Sequence, residues 1–293
     1  MGDGMTYRDL IGCLRFRQWT KNIFVFSALI FSHHAHQISY AIRTIPAFFL
    51  FSLASGAVYV FNDILDIDRD HEHPLKKIRP IASGRVSKKS AWIIFSVLTV
   101  VVLPLSYLLD RDLGLVLSVY IAVQILYSLY LKNMVILDVF LISFGFLLRV
   151  VAGAVVIHVE LSNWILVCTM LLALFLALSK RRHELTLLDE NAYNHRIILK
   201  EYSPYLLDQM IGVVTAATLV AYMIFTLSDE TIAKFGKYMV LTVPFVLYGI
   251  FRYLYLIHKK NGGGQPDEIL LTDIPLQLDI IAYGIISLLV IYF

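Results

Sequence analysis

The chain has 293 residues, of which 58% are hydrophobic and 16% are charged, and its net charge is +3 at pH 7. Its mean hydropathy is +0.72. A soluble domain of this length is ordinarily about one quarter charged, and here the apolar residues come in long blocks without amphipathic stripes. These values exclude an ordinary soluble globular domain and indicate a protein with several membrane spans.

Nine apolar segments each predict a transmembrane helix. We therefore expect an all-α fold, a polytopic membrane bundle of about nine transmembrane helices that forms a single domain over residues 1–293. A helix needs about 20 apolar residues to cross the hydrocarbon core, and the first segment, which is short, is the weakest of the nine. The segments are 23–32, 41–60, 91–109, 113–130, 135–157, 163–179, 211–228, 238–257 and 275–293.

The N-terminal residues 1–22 contain no short apolar core followed by a small-residue cleavage site, so we expect no signal peptide. The two cysteines, Cys13 and Cys168, are too few for a metal cluster or a disulfide framework. We expect both thiols to be chemically inert.

The lysines and arginines lie mostly on one side of the predicted bundle. The N-terminus and the loops 61–90, 131–134, 180–210 and 258–274 hold 19 of them, whereas the intervening loops hold 4. Since basic residues mark the cytoplasmic side, we expect a protein integral to the plasma or inner membrane, with its N-terminus, these loops and its active site facing the cytoplasm. Membrane topology explains many of the bases, but it does not explain the acids of loop 61–90.

Four oxygen-bearing side chains follow the second apolar segment. On a helix of about 100° per residue, Asn62, Asp63, Asp66 and Asp70 share an arc of about 100°, whereas Asp68 points away. Carboxylates crowded on one face repel one another unless a cation lies between them. Because hard oxygen ligands suit Mg²⁺ or Mn²⁺, these four residues, the acidic motif, are candidate metal ligands. A solvated loop with acid–base pairs is the alternative interpretation.

A basic run follows the acidic motif directly. Lys76, Lys77 and Arg79 offer cationic donors to phosphate oxygens, the arginine in bidentate fashion. A metal held by carboxylates bridges part of a diphosphate, and its other oxygens require such donors. The sequence therefore predicts a metal-dependent phosphate site in this loop.

These residues carry a resemblance to a known family. The spacing Asn62-Asp63-x-x-Asp66-x-x-x-Asp70 resembles the first aspartate-rich motif of the UbiA superfamily of intramembrane prenyltransferases, which are nine-helix bundles with a cytoplasmic active site. Further segments resemble, in order, those of decaprenyl-phosphate phosphoribosyltransferases within this superfamily. They are LRFRQWTKN (14–22), HPLKKIRPIASG (73–84), YSLYLKNMVILD (127–138) with LLRVVAGA (147–154), SKRRHEL (179–185) and GQPDEILLTDIPLQ (264–277).

This chain differs from other superfamily members in one motif that concerns the donor substrate. Members that use a prenyl diphosphate carry a second motif, Asp-x-x-x-Asp, after the sixth span, where this chain has Lys180-Arg181-Arg182-His183-Glu184. One acid and three bases in place of two acids favour a donor with more negative charge. Phosphoribosyl pyrophosphate, which carries a diphosphate and a 5-phosphate, fits this change.

The resemblance implies a Mg²⁺-dependent (or Mn²⁺-dependent) membrane enzyme. It would transfer 5-phosphoribose from phosphoribosyl pyrophosphate to a decaprenyl-type polyprenyl phosphate, release pyrophosphate and bind no nucleic acid; its oligomeric state is left open. The expected catalytic residues are Asp63, Asp66, Asp70, Lys180 and Glu184, with the metal on the acidic motif. The expected substrate-binding residues are Lys21, Lys76, Lys77, Arg79, Lys132, Arg149, Arg181 and Arg182.

Several expectations stay open between alternatives. Asp138 and Arg149 lie inside the fifth segment about three turns apart, on one face, and each requires a partner because charges are costly at membrane depth. A structural ion pair and a substrate contact are equally compatible with that position. For the function, the alternatives are a UbiA prenyltransferase with a prenyl diphosphate donor and an aromatic or other small acceptor, and a polytopic transporter.

Overall fold

The structure, a computed structural model, describes residues 6–32, 37–72, 76–188, 197–259, 269 and 272–292. Every regular element in these ranges is an α-helix or a 3₁₀ helix, which confirms the all-α fold class. By the contacts between residues, the chain divides into two compact units, Met1–Leu161 and Ser162–Phe293. The expectation of a single domain stays a prediction.

The first unit contains the following α-helices: α1 (Tyr7–Leu14), α2 (Ser27–Phe31), α3 (Ile38–Leu65), α4 (Ile67–Glu72), α5 (Lys88–Leu109), α6 (Arg111–Leu129) and α7 (Leu137–Val156). Its 3₁₀ segments are Phe16–Phe26, Lys76–Ile78 and Leu131–Asn133. Polar side chains begin several of the helices, as N-caps do. Asp110, for example, accepts hydrogen bonds from the backbone amides of Asp112 (2.9 Å) and Leu113 (3.1 Å) at the start of α6.

The second unit contains α8 (Asn163–Leu188), α9 (Pro204–Leu227), α10 (Asp229–Phe235), α11 (Val243–Lys259) and α12 (Ile274–Tyr292), with 3₁₀ segments at Ile197–Glu201 and Lys237–Thr242. Ser203 and Ser228 cap α9 and α10 through their hydroxyl groups. Parts of the predicted loops 180–210 and 258–274 lie outside the described residues.

Eight helical segments in the described part of the chain are long and apolar enough to cross a membrane: Ile38–Leu65, Lys88–Leu109, Arg111–Leu129, Leu137–Val156, Asn163–Thr186, Pro204–Leu227, Lys237–Lys259 and Ile274–Tyr292. They correspond to the last eight of the nine predicted segments. The first predicted segment, 23–32, is instead divided between the 3₁₀ segment Phe16–Phe26 and the five-residue α2. Its apolar part is shorter than the roughly 20 residues of an ordinary span.

α3 is the most buried helix of the first unit. Ala47, Phe51 and Ala54 are fully buried, and α5, α6, α7 and the 3₁₀ segment Phe16–Phe26 all pack against α3. Small side chains let neighbouring backbones approach closely in membrane bundles. The acidic motif begins in the last turn of this central helix and continues into α4.

α7 and the N-terminal 3₁₀ segment make a backbone contact. A methyl group placed on Gly153 would lie 1.9 Å from the carbonyl oxygen of Val25, a distance at which no side-chain atom fits. Glycine is therefore required where α7 crosses this segment. The contact holds the chain around residues 15–26 against the bundle.

Two side-chain contacts identify the two ends of the first unit. At one end Lys132, in the loop before α7, contacts Asp66 after α3. At the opposite end of the helices, His158 after α7 lies 3.4 Å from Asp110 before α6. Loops 61–90 and 131–134, which the charge distribution assigns to one side of the membrane, therefore lie together at one end of this unit.

Candidate functional site

The acidic motif lies where α3 ends. The helix ends at Leu65, Asp66 follows it with φ −103° and ψ 14°, and α4 begins at Ile67. The continuous helix that the sequence predicts here is interrupted because the backbone of Asp66 leaves the helical region. Hydrogen bonds from the amide of Asp66 to the carbonyl of Asn62 (3.0 Å) and from the amide of Asp70 to the carbonyl of Asp66 (2.8 Å) span the interruption. The helical spacing of the motif is thus retained.

The burial of these side chains follows the predicted projection. Asp63 and Asp70 are buried at 3% exposure each, Asn62 and Asp66 are partly buried, and Asp68 is exposed. Asp63, Asp66 and Asp70, which share one arc, therefore face the protein, whereas the fourth acid, Asp68, faces away from it.

Arginines contact the two buried carboxylates. Arg79 Nη1 donates to Asp63 Oδ1 (3.1 Å) and to Asp70 Oδ2 (2.5 Å). Arg15 Nη2 donates to the same Asp63 oxygen. Burying a carboxylate is costly unless a cation or hydrogen-bond donors compensate it, and here guanidinium groups from two separate parts of the chain do so.

Asp66 has cationic partners of its own. Lys132 Nζ donates to Asp66 Oδ1 at 2.7 Å, and Arg69 Nη1 lies 3.8 Å from the same oxygen. Lys132 is 8% exposed, so its ammonium is largely withdrawn from water. Each carboxylate of the motif thus faces at least one base in the described structure.

Arg15 is a site residue that the sequence analysis did not select. It ends α1 in the left-handed region, with φ 49° and ψ 57°, which is uncommon for a residue other than glycine. Its guanidinium carbon lies 5.1 Å from the centre of the Tyr59 ring, within the range of a cation–π interaction. The available signal was its place at the head of the segment RFRQWTKN.

A second strained residue lies beside Lys132. Ile136 has φ 68° and ψ −45°, and a β-branched residue at positive φ is a true outlier. It ends the short turn that carries Lys132 and begins α7. Strained residues persist only where the surrounding structure holds them, and they cluster at functional sites. Arg15 is itself a base that contacts the acidic motif, and Ile136 lies four residues after another such base, Lys132.

The other predicted phosphate-binding residues of this unit lie on neighbouring elements. Lys76 and Lys77 are in the 3₁₀ turn Lys76–Ile78, close in sequence to Arg79, and Lys77 is exposed. Lys21 lies in the 3₁₀ segment Phe16–Phe26 and is partly buried. Their contacts with phosphate stay predictions.

Arg149 lies deeper in the unit, within α7. Its Nε donates to Asn22 Oδ1 (2.8 Å), its Nη1 to the carbonyl of Gly145 (2.6 Å) and its Nη2 to the hydroxyl of Tyr120 (3.3 Å). The rings of Phe51, Tyr120 and Phe146 lie 5.0, 5.2 and 5.3 Å from its guanidinium carbon. Among the described residues its partners are therefore neutral.

The surroundings of Arg149 show which of the expected partners it has. The recorded hydrogen bonds of Arg149 go to an amide, a carbonyl and a hydroxyl group, and not to an acid. Asn22 in turn donates to the hydroxyl oxygens of Ser52 (3.0 Å) and Ser55 (3.2 Å) on α3. Arg149 thus ties the N-terminal segment to α3 and α7. Asp138 is fully buried near the start of α7.

The second unit holds the other predicted site residues, Lys180, Arg181, Arg182 and Glu184, near the end of α8. Arg181 is 1% exposed, and its Nη1 donates to Glu184 Oε2 at 2.7 Å. Both Nε and Nη2 of Arg182 donate to the carboxylate of Asp208 on α9, the latter at 3.3 Å. His258 Nε2 lies 3.3 Å from Asp208 as well.

Asp208 was not selected from the sequence. It lies 26 residues after Arg182, on the next helix, α9, and carries no spacing signal of its own. The predicted excess of base over acid in this segment is therefore partly balanced by a carboxylate from the next helix.

The chemistry of the acidic motif suits a hard divalent cation, because all of its donors are oxygens. Asp63 and Asp70 contact the same nitrogen of Arg79, so their two oxygens lie close enough to share one cation. Asp66 points to Lys132 instead. Accordingly, no group of three His, Cys, Asp or Glu side chains is gathered as a metal site within the part of the chain that the structure describes. Two carboxylates fit the ion directly, with further positions left for water and phosphate.

Comparison with known proteins identifies the family of this chain. The model of the UbiA prenyltransferase family matches residues 23–267. The decaprenyl-phosphate phosphoribosyltransferase of Mycolicibacterium smegmatis is 34% identical over 94% of this chain and 89% of its own length. The protein of the same name from Corynebacterium glutamicum is 33% identical over 100% of this chain and 88% of its own length.

The fold also resembles a solved structure, a UbiA homolog from Archaeoglobus fulgidus bound to GPP and Mg²⁺. The TM-score is 0.71 at 17% identity, and the match covers 97% of this chain and 96% of that one. At this identity the likeness concerns the fold. The family match, by contrast, covers most of the sequence, including the acidic motif and the segments around Lys132 and Lys180. The chain belongs to the UbiA prenyltransferase family.

Proposed function

We propose that this protein transfers 5-phosphoribose from phosphoribosyl pyrophosphate to a polyprenyl phosphate of the decaprenyl type and releases pyrophosphate. The observation that carries the proposal is the nearly full-length similarity, at 33% and 34% identity, to two proteins named decaprenyl-phosphate phosphoribosyltransferase. The same similarity speaks against the polytopic transporter. The missing second aspartate motif speaks against a prenyl diphosphate donor.

The reaction requires no general base. A phosphate oxygen of the lipid forms a bond to the anomeric carbon of the ribose while the bond from that carbon to the pyrophosphate oxygen breaks. Pyrophosphate leaves with the bonding electrons, and the anomeric centre inverts when the attack is in line. Because the lipid phosphate is ionised at neutral pH, no proton has to be removed. Positioning and electrostatic stabilisation then supply most of the acceleration.

The acidic motif would hold Mg²⁺ or Mn²⁺. Such an ion, when bound, supplies positive charge that neutralises a pyrophosphate leaving group. Arg79, with Lys76 and Lys77, would bind diphosphate oxygens that the ion does not reach, since guanidinium and ammonium groups form strong charge-assisted hydrogen bonds to phosphate. The contacts of Arg79 with Asp63 and Asp70 support this role, because they place its guanidinium beside the candidate ligands.

Lys21 and Lys132 are the proposed ligands of the acceptor phosphate. Both lie in the first unit, and the burial of Lys132 strengthens its attraction for an anion because water screens it little. The apolar tail of the lipid would stay in the bilayer. Since Lys132 holds Asp66 in the structure, it also keeps that carboxylate in place.

The residues of the second unit carry separate proposals. Lys180, Arg181 and Arg182 would bind the 5-phosphate or the lipid phosphate, and Glu184 would hold a ribose hydroxyl group or a second metal ion. In the structure Asp208 accepts hydrogen bonds from Arg182, and Glu184 accepts one from Arg181. An anion that binds there would share these guanidinium groups with the carboxylates or displace the carboxylates.

The orientation is also a proposal. The 19 basic residues of the N-terminus and the long loops, against 4 in the intervening loops, support a cytoplasmic active site in the plasma or inner membrane. Phosphoribosyl pyrophosphate, a highly charged molecule that does not cross a bilayer unaided, would then reach the site directly from the cytoplasm.

The test is transfer of labelled phosphoribose by the purified protein. Protein in detergent is incubated with phosphoribosyl pyrophosphate labelled in the ribose, a polyprenyl phosphate and Mg²⁺, and label in the organic phase is counted. We expect label to enter the lipid with the wild-type protein and to fall at least about 100-fold with Asp66→Ala, since removing one electrostatic stabiliser costs about that much.

The matched control is Asp68→Ala, which removes an exposed carboxylate from the same stretch of chain and is expected to keep activity within a factor of about three. Size-exclusion profiles establish that both variants are folded. Label that never enters the lipid, together with turnover of a prenyl diphosphate and a small aromatic acceptor, would overturn the proposal in favour of the other donor class.

A further inference from the structure

The carboxylates of the acidic motif are already neutralised within the protein. Asp63, Asp66 and Asp70 face three largely buried bases, Arg15, Arg79 and Lys132. A fourth base, Arg69, lies 3.8 Å from Asp66 and is more exposed. The side chains of Asp63 and Asp70 are only 4% and 5% exposed. Water therefore screens these charges weakly, and the balance between them matters energetically.

Arg79 is placed where a cation shared by two acids would be. A single nitrogen, Nη1, contacts Asp63 Oδ1 and Asp70 Oδ2. The other nitrogens of a guanidinium extend from it as a rigid fork, and the side chain of Arg79 is 25% exposed. It can therefore turn toward solvent without leaving a buried cavity behind.

Arg15, like Arg79, can turn away from its carboxylate. It contacts only Asp63 among the described acids, its side chain is 21% exposed, and it stacks on Tyr59. Its left-handed backbone fixes where the side chain starts. A change of side-chain rotamer, without movement of α1, is then enough to transfer its hydrogen bond from the acid to another anion.

The net charge of this cluster determines which ligands can bind to it. A divalent ion alone would add two positive charges to a buried, neutral cluster, which is unfavourable unless cationic side chains leave. A diphosphate that arrives with the ion brings the compensating negative charge, and it offers pairs of phosphate oxygens to which arginine binds in bidentate fashion.

We propose that Arg15 and Arg79 are exchangeable counter-ions of the metal-binding carboxylates. Without ligands they neutralise Asp63 and Asp70; when a divalent ion enters with the donor they release these acids and bind the diphosphate. The inference rests on the proposed function for the identity of the donor. In the ligand-free protein the arginines compete with the metal for the carboxylates, and in the loaded protein they bind the donor. Metal and donor therefore bind cooperatively.

The experiment measures the binding of the metal in the absence of the donor. Free Mn²⁺ is quantified by electron paramagnetic resonance as it is titrated into purified protein without any donor. Removing a competing cation should tighten binding, so we expect the dissociation constant for Mn²⁺ to fall at least about tenfold, or 1.4 kcal/mol, in Arg79→Gln. The fall should be smaller in Arg15→Gln, because Arg15 contacts one carboxylate and Arg79 contacts two.

The matched control is Lys89→Gln, which removes the same charge from an exposed residue in the first turn of α5 and should change the constant by less than twofold. Unchanged or weaker Mn²⁺ binding in both arginine variants would overturn the inference, since a residue that only binds diphosphate has no effect on the metal alone. Should Arg79→Gln fail to fold by size exclusion, Arg15→Gln makes the same test.

A second titration separates this inference from the proposed function. Pyrophosphate is added at saturating Mn²⁺, and its dissociation constant is expected to rise at least about tenfold in Arg79→Gln. If the metal-alone result holds but no phosphoribose is ever transferred, the exchange of counter-ions stands and the donor assignment fails. Tighter pyrophosphate binding in Arg79→Gln would overturn the exchange.

Discussion

Replacement of Gly153 by alanine tests the packing that positions the N-terminal segment. The added methyl carbon would lie 1.9 Å from the carbonyl oxygen of Val25, 2.8 Å from its carbonyl carbon and 3.2 Å from its Cα. All three atoms belong to backbone, so no side-chain rotation relieves the clash. α7 and the segment Phe16–Phe26 must therefore move apart by roughly one ångström or more.

The magnitude follows from two contributions. Overpacking of a well-packed interior costs about 1–3 kcal/mol. The separation also strains the hydrogen bond from Arg149, one turn before Gly153 on α7, to Asn22, one turn before Val25. A hydrogen bond to a charged group contributes about 1.5–3 kcal/mol. We expect Gly153→Ala to lower the free energy of unfolding by about 2–5 kcal/mol.

The measurement is thermal unfolding in detergent, followed by the loss of the monodisperse size-exclusion peak after heating. Gly153→Ala should lower the midpoint by at least about 5 °C. Gly212→Ala in α9 is the matched control, because a methyl group there meets no atom within 4 Å and alanine favours a helix by about 1 kcal/mol over glycine. A midpoint for Gly153→Ala equal to that of the control would refute the close packing of α7 on Val25.

Two further predictions concern ionisable groups of the N-terminal segment. Burial, followed by the negative charge of Asp63, raises the pKa of the Cys13 thiol to about 11, so about one thiol in a thousand is ionised at pH 8. In a Cys168→Ser background iodoacetamide should label the native protein slowly and the denatured protein rapidly, and fast native labelling would contradict the burial. Hydrogen bonds from Thr6, followed by that from Arg85, lower the pKa of Asp9 below 3.8. The Asp9 carboxylate therefore contributes its full share to the stability of the folded protein above pH 3.8, and this contribution is lost as the pH falls through the lowered pKa. Wild type should therefore unfold at a higher temperature than Asp9→Asn at pH 6 and lose this advantage in acid, and an equal advantage at pH 3 would contradict the assignment.

The membrane architecture could be predicted because long apolar blocks are a local signal. α3, for example, covers Ile38–Leu65, where the sequence predicts a span over 41–60, and the family assignment from five ordered segments is confirmed. The 3₁₀ geometry of Phe16–Phe26 could not be predicted in this way. Its hydrophobic pattern does not distinguish it from a short α-helix, and the contact with Gly153 that holds it comes from a distant part of the chain.

The arrangement of the acids was predictable because helical spacing is retained from α3 into α4, whereas their partners, which come from distant parts of the chain, were not predictable. The spacing of the acids gave the buried pair Asp63 and Asp70 and the exposed Asp68, because helical periodicity determines which residues share a face. The partners of those acids depend on tertiary structure. Arg15 lies 48 residues from Asp63 and Lys132 lies 66 residues from Asp66, and no local pattern encodes such pairs.

The polar partners of Arg149 have a consequence for biogenesis. On the insertion scale, an arginine at the centre of a helix disfavours entry into the bilayer by about 2.5–3.5 kcal/mol. Asn22 is synthesised 127 residues before Arg149. The hydrogen-bond acceptor therefore leaves the ribosome well before the guanidinium group that donates to it. A chain shortened past Asn22 would insert α7 without the acceptor of the Arg149 Nε proton, and, of the residues that the structure describes, only Gly145 and Tyr120 would then accept hydrogen bonds from this guanidinium.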